Sequence, residues 1–157
     1  MGIEIERKYL VNPTLWQLTK PLAVATPIRQ GYLSLNPERT VRIRIKNNNA
    51  YLTIKGKNEG IKRIEFEYPI PLEEGLDLLP LCEGAIIEKT RYTIAIEGLT
   101  WEIDEFEGEN LGLIVAEVEL QAEHESIRLP VWIKQEVSLD PRYYNANLVQ
   151  CPFKNWK

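Results

Sequence analysis

The sequence is poor in the residues on which several kinds of chemistry depend. Its 157 residues hold 2 cysteines, Cys82 and Cys151, too few for a disulfide framework. Both read as ordinary free thiols, and a reducing cytoplasm is the default compartment. The 1 histidine, His124, lies in a polar stretch and argues against a His-based metal site or a Ser-His-Asp triad. No apolar run approaches the roughly 18–20 residues of a membrane-spanning helix. The opening MGIEIERK carries charges where a secretory signal would be apolar. Repeats, low-complexity tracts and Ser/Gly-rich linkers are absent, so a single domain over 1–157 is expected. A dominant charge sign is also lacking. Lys and Arg number 19 against 23 Asp and Glu, leaving −4, which excludes a nucleic-acid binder working by bulk positive charge. Apolar residues reach 44%, which excludes disorder and suffices for a core.

What is present is charge arranged with the period of a strand. Alternation over Ile3–Val11, 28–35, Thr40–Lys46, 50–57, Ile61–Ile70, 86–97, 100–107 and 113–121 predicts eight strands, mostly in hairpins. Asn47-Asn48-Asn49, Asn58-Glu59-Gly60 and Gly98-Leu99 supply turns. Pro71 with Glu73 and Glu74 opens a helix-like stretch over 71–83, and residues 12–19 form a second short helix candidate. The tail 123–157 is irregular to helical.

The polar faces of these strands are almost purely ionic. They read Glu4-Glu6-Lys8, Arg42-Arg44, Lys55-Lys57, Arg63-Glu65-Glu67, Lys89-Arg91, Glu102-Asp104 and Glu117-Glu119. Alternating strands ordinarily turn such faces to water. Eight antiparallel strands also close into a barrel, and the length leaves little material for two packed sheets plus helices. The expected class is α+β: a closed eight-stranded antiparallel β-barrel with an ionic interior and a few helices packed outside. About sixteen inward charges are costly unless paired, hydrated or bound to ligand. Arg and Lys suit a polyanion. Clustered carboxylates without His or Cys suit a hard cation such as Mg²⁺ or Mn²⁺.

Glu4-x-Glu6-x-Lys8 at the start of the chain resembles the signature of the CYTH superfamily, the triphosphate tunnel metalloenzymes. Further marks follow in order: Gln30-Gly31-Tyr32-Leu33, Arg42-x-Arg44, Thr53-Ile54-Lys55-Gly56-Lys57, Arg63-x-Glu65-x-Glu67, Lys89-x-Arg91-Tyr92, Trp101-Glu102-Ile103-Asp104-x-Phe106 and Ala116-Glu117-Val118-Glu119. The resemblance spans essentially the whole chain. It implies an eight-stranded tunnel and metal-dependent chemistry on triphosphates. Short, single-domain, bacterial-looking members are most often inorganic triphosphatases, and the chain resembles those in kind. Hydrolysis of tripolyphosphate to diphosphate and phosphate is therefore expected, in the cytoplasm, with no nucleic-acid or membrane partner. Nucleoside or thiamine triphosphate hydrolysis, a class IV-type adenylate cyclase, and a non-enzymatic polyphosphate- or nucleotide-binding module are the alternatives. Dimers occur in some members, so a homodimer is admitted by analogy.

The resemblance also implies roles. Glu4, Glu6, Glu117 and Glu119 match metal ligands, and carboxylates two apart on a strand do point the same way. Lys8, Arg42, Arg44, Lys55, Lys89 and Arg91 match phosphate-binding cations; Lys57 and Arg63 point inward by parity, as substrate contacts or rim residues. Tyr32 matches a tyrosine near the tunnel mouth, either touching substrate or packing. Lys8, Glu117, Glu119 and Asp104 form the candidate catalytic group, the acids lying near a second metal that would activate water. Glu65, Glu67 and Glu102 would orient the cations, with Asp104 a further candidate for that task. Tyr143-Tyr144-Asn145 resembles part of a C-terminal helix, about 139–149, plugging one tunnel end.

Overall fold

A computed structural model of the chain describes residues 2–156; Met1 and Lys157, the ends of the expected single domain, lie outside them. Among the described residues nine strands form one antiparallel sheet: β1 (Gly2–Val11), β2 (Val24–Ser34), β3 (Arg39–Lys46), β4 (Asn49–Gly56), β5 (Lys62–Ile70), β6 (Glu83–Ile96), β7 (Leu99–Phe106), β8 (Ile114–Glu119) and β9 (Ile133–Glu136). β1 closes it. One edge of β1 pairs with β8, setting Lys8 opposite Glu117, and the other pairs with β5, setting Glu4 opposite Arg63. The order β1-β5-β4-β3-β2-β6-β7-β8 thereby returns to β1 as an eight-stranded barrel.

The alternation places the strands correctly and their starts less well. β2 begins at Val24 and β6 at Glu83, both earlier than the periodicity indicates. β9 lacks any periodic signal. It exists because β5 pairs only with residues 2–5 of β1, leaving the far part of that edge with open backbone groups. There Glu136 pairs with Tyr9 and Ile133 with Val11. The expected helix over 71–83 is shorter, α2 (Leu72–Leu78), followed by a 3₁₀ turn at Leu79–Leu81 that contains Pro80. α1 (Pro13–Thr19) carries Pro at its first position, and the Asn12 side chain accepts from Leu15 N–H at 3.0 Å.

Apolar side chains on alternate strand positions point outward and are covered by the rest of the chain. Tyr9, Trp101, Ile103, Ala116 and Val118 pack beneath Trp16 of α1 and Trp132 of the segment leading to β9. The Trp16 and Trp132 rings meet edge-to-face at 4.9 Å, and Trp101 meets Trp132 at 5.8 Å. Ile43, Ile45 and Ala50 of β3 and β4 pack with Leu79 and with partly buried side chains of α2. The contact is close because Gly75 of α2 has no Cβ: one added there would lie 2.5 Å from that of Ala50. On β5, Ile64, Phe66 and Tyr68 remain exposed.

At one end the barrel interior itself is apolar. Ile87, Phe106 and Val115 pack against Val137, Tyr143, Leu148 and Val149. The last three belong to a 3₁₀ turn (Pro141–Tyr143) and to α3 (Asn145–Gln150), which stand where one helix over 139–149 is expected.

Candidate functional site

Above this apolar end lies a cavity of about 560 Å³. Strand parity accounts for its lining. β1 contributes Glu4, Glu6 and Lys8; β3 contributes Arg42 and Arg44; β4 contributes Lys55 and β5 Glu65 and Glu67. β6 adds Lys89 and Arg91, β7 Glu102, and β8 Glu117 and Glu119. Tyr32, Lys57 and Arg63 also line it. Side chains as far apart in the chain as Glu4 and Glu119 thus meet because every second strand residue faces the axis.

Asp104 differs from its expected neighbours. It is buried and does not line the cavity. Its carboxylate accepts from Lys89 Nζ at 2.7 Å and from Arg91 Nε and Nη2 at 2.8 and 2.9 Å. The charges of Arg91 and Lys89 outweigh burial and hold its pKa at about 2. Three hydrogen bonds from two cations hold this carboxylate in the wall behind them.

The cations are unevenly matched. Arg42 donates to Thr53 Oγ1 at 3.0 Å and to Glu67 at 3.2 Å. Lys55 contacts Glu4 at 3.0 Å and Glu65 at 3.3 Å. Arg91 reaches Glu102 at 3.3 Å and Glu117 at 3.7 Å. Among the described residues Arg44 has only the neutral Gln30 as a side-chain partner, whose Oε1 accepts from Nε at 2.8 Å. Burial, with Arg42 and Arg91 nearby, lowers its pKa to about 9. Burial likewise lowers Lys89 to about 7, helped by Arg91 and Arg44 and resisted by Asp104. A buried arginine without an acid partner is costly, and an anion from outside would offset that cost.

The carboxylates show the opposite excess. Burial, then Glu117 and Glu4, push Glu6 well above the usual range. Burial would raise Glu117 too, but Lys8 at 3.5 Å, Arg91 and Lys89 hold it well below. Glu4 is lowered because Lys55 overcomes burial. Glu119, nearer the rim, is raised by burial and by Glu4 and Glu102. Hard oxygen donors in mutual repulsion fit a divalent cation, whose charge would relieve them. Among the described residues no three acidic, His or Cys side chains form a ready-made cage.

The sequence reading overlooked four contacts. Gln30 and Thr53 sit at inward parity positions and were open to the same argument as their charged neighbours. Ser138 and Asn145 come from the irregular tail, which has no periodicity to read. Ser138 Oγ accepts from Lys8 N–H at 2.9 Å, and Asn145 Oδ1 accepts from Lys89 Nζ at 3.0 Å.

A family model described as the CYTH domain matches residues 2–144. The chain belongs to the CYTH domain family. A curated inorganic triphosphatase of Acetivibrio thermocellus is 48% identical over 158 residues, spanning 100% of this chain and 99% of that protein. One of Nitrosomonas europaea is 35% identical over 152 residues, spanning 92% of this chain and 95% of its own. Among solved structures, a crystal structure of an inorganic triphosphatase superposes with a TM-score of 0.67 at 32% identity, covering 92% of this chain and 96% of that one. A Pyrococcus horikoshii protein, at 19% identity and TM-score 0.60 over 77% of this chain and 80% of that one, shares the fold. In this CYTH domain, then, the charges of alternate strand residues face one central cavity and the apolar residues form its outer core.

Proposed function

We propose that this CYTH domain hydrolyses inorganic triphosphate to diphosphate and phosphate. The observation that carries the reading is Arg44, a buried guanidinium without an acid partner in a cavity where carboxylates crowd the opposite wall. A polyanion and a divalent cation complete both halves at once. The two curated relatives, named for this activity, support the same substrate. Among the described lining residues only Tyr32 and Tyr144 are aromatic. This favours an inorganic anion over a nucleotide, whose base would call for a stacking slot.

Arg42, Arg44 and Arg91 hold phosphoryl oxygens through their forks, while Lys8, Lys55 and Lys89 supply point charges. Together they neutralise the charge that grows on the leaving diphosphate. Mg²⁺ or Mn²⁺, held by Glu6 and Glu117 with Glu4 and Glu119 beside them, would neutralise phosphoryl charge and order the attacking water. Glu117, kept ionised by Lys8 and Arg91, would be able to accept a hydrogen bond from that water. Glu65, Glu67 and Glu102 orient Lys55, Arg42 and Arg91, as their pairings support. Asp104 is assigned to the same orienting task for Lys89 and Arg91.

Phosphate release from tripolyphosphate, ATP and thiamine triphosphate, each with Mg²⁺, Mn²⁺ or Ca²⁺, tests the reading. Tripolyphosphate with Mg²⁺ or Mn²⁺ is expected to be turned over fastest. No release from any of them overturns the assignment, and cyclic AMP with diphosphate from ATP would make the domain a cyclase.

A further inference from the structure

The floor of the cavity carries a chain of hydrogen bonds whose directions are dictated by its ends. Arg44 Nε can only donate, so the Gln30 oxygen must face it, and the bond is 2.8 Å. The Gln30 amide nitrogen is thereby turned the other way. It donates to Asn145 Oδ1 at 3.2 Å and lies 3.4 Å from the Tyr32 hydroxyl. Lys89 Nζ, which also donates to Asp104, donates to the same Asn145 oxygen at 3.0 Å. Two donors on one side settle the Asn145 amide: its oxygen faces the floor, and its NH₂ is turned away from them. Asn145 lines the cavity.

We propose that Asn145 is a substrate-binding residue whose NH₂ donates to a phosphoryl oxygen at the closed end of the cavity. This rests on the triphosphatase reading and adds to it. The substrate would then meet Arg44 and Lys89 from the barrel wall and a neutral donor from the C-terminal segment. Gln30 serves as the positioning residue that transmits the polarity of Arg44 to Asn145. No charged side chain does the same work. A lysine would repel Lys89, and an aspartate would satisfy Lys89 and Gln30 equally well but present a negative oxygen to the phosphate.

That last property separates binding from mere anchoring. In Asn145→Asp both floor hydrogen bonds persist, now to a carboxylate, so the variant should melt no lower than the wild type. Its KM for tripolyphosphate should rise about 10- to 100-fold, the range of losing one hydrogen bond to a charged group, with a smaller change in kcat. Asn145→Ala should raise KM as well and also melt lower. A wild-type KM in Asn145→Asp would reduce Asn145 to an anchor of the C-terminal segment. A lower melting temperature in that variant would show that the amide is oriented the other way, which equally ends the proposal. If the wild-type protein released no phosphate, the triphosphatase reading would fail instead. The comparison would then be made as calorimetric affinity for metal-free tripolyphosphate, where the same ranking of variants decides the role of Asn145.

Discussion

Asp104 and Arg91 form a bidentate ion pair inside the barrel wall, with bonds of 2.8 and 2.9 Å from Nε and Nη2. Lys89 closes the group at 2.7 Å. Both cations face the cavity, yet their shared acid does not. Asp104 therefore neutralises part of the cation cluster from behind and fixes the direction of its side chains. Asp104→Asn should cost about 3–5 kcal/mol, the loss on breaking one side of a buried pair. Urea unfolding measures it. An Asp104→Asn protein of wild-type stability but without activity would return Asp104 to the catalytic group.

Glu6 lies on the other wall, where burial and neighbouring acids raise its pKa. A carboxyl with a folded pKa above its unfolded one binds more protons when folded. Its contribution to stability is lost as pH rises through the folded value. Glu6→Gln should accordingly raise the melting temperature of the metal-free protein at pH 8. The same change should remove the increase in melting temperature that Mg²⁺ or Mn²⁺ produces in the wild type. An unchanged metal response would take Glu6 out of the ligand set.

Lys89 should contribute to proton uptake when substrate binds. Burial lowers its pKa to about 7 against the pull of Asp104, so a fraction of the side chains lose the proton as pH rises past neutrality, and a polyanion beside them favours the charged form. Calorimetry of metal-free tripolyphosphate binding at pH 8, in buffers of different ionisation enthalpy, should show less uptake in Lys89→Met than in the wild type. At pH 6, where Lys89 is already charged, the difference should vanish. Equal uptake at pH 8 would contradict the lowered pKa.

Lys8 and Glu117 face each other at 3.5 Å, and the proposed hydrolysis gives both a part in the reaction. Lys8→Ala should lose about 100-fold or more in kcat, in line with removing one electrostatic stabiliser of the transition state. Circular dichroism should show the folded barrel. Turnover at the wild-type rate would mean that the cavity is not the reaction site.

Gly75 tests the outer packing. A Cβ there would fall 2.5 Å from Ala50 Cβ and 2.9 Å from Ile45 Cδ1, and the crowding comes from a packed core. Gly75→Ala should lose about 1–3 kcal/mol through forced displacement of α2, despite the better helix propensity of alanine. A more stable variant would show that α2 can lift without cost.

The inverted barrel was legible because one rule, alternation, applies to every strand. Once Glu4, Arg44, Lys89 and Glu117 are placed on inward faces, only closure is needed to bring them together. β9 was not legible, since it owes its existence to the open edge of β1 and not to its own residues. Asp104 shares parity with Glu102, and parity cannot tell a lining residue from one buried beneath its neighbours. The packing of the C-terminal segment beneath the cavity depends on apolar contacts with Ile87, Phe106 and Val115, each distant in sequence.

The sequence by itself determined which charges share a face, because side-chain direction in a strand is set locally at every second residue. It also determined the chemistry those faces can support, cations for a polyanion and oxygen donors for a hard metal. Only the tertiary structure decided how the charges are matched. Asp104 is saturated by two cations, Arg44 is left with a neutral amide, and Asn145 is brought in from the far end of the chain. Such pairings depend on distances of a few tenths of an ångström between separate strands, which closure of the barrel sets and no local pattern encodes.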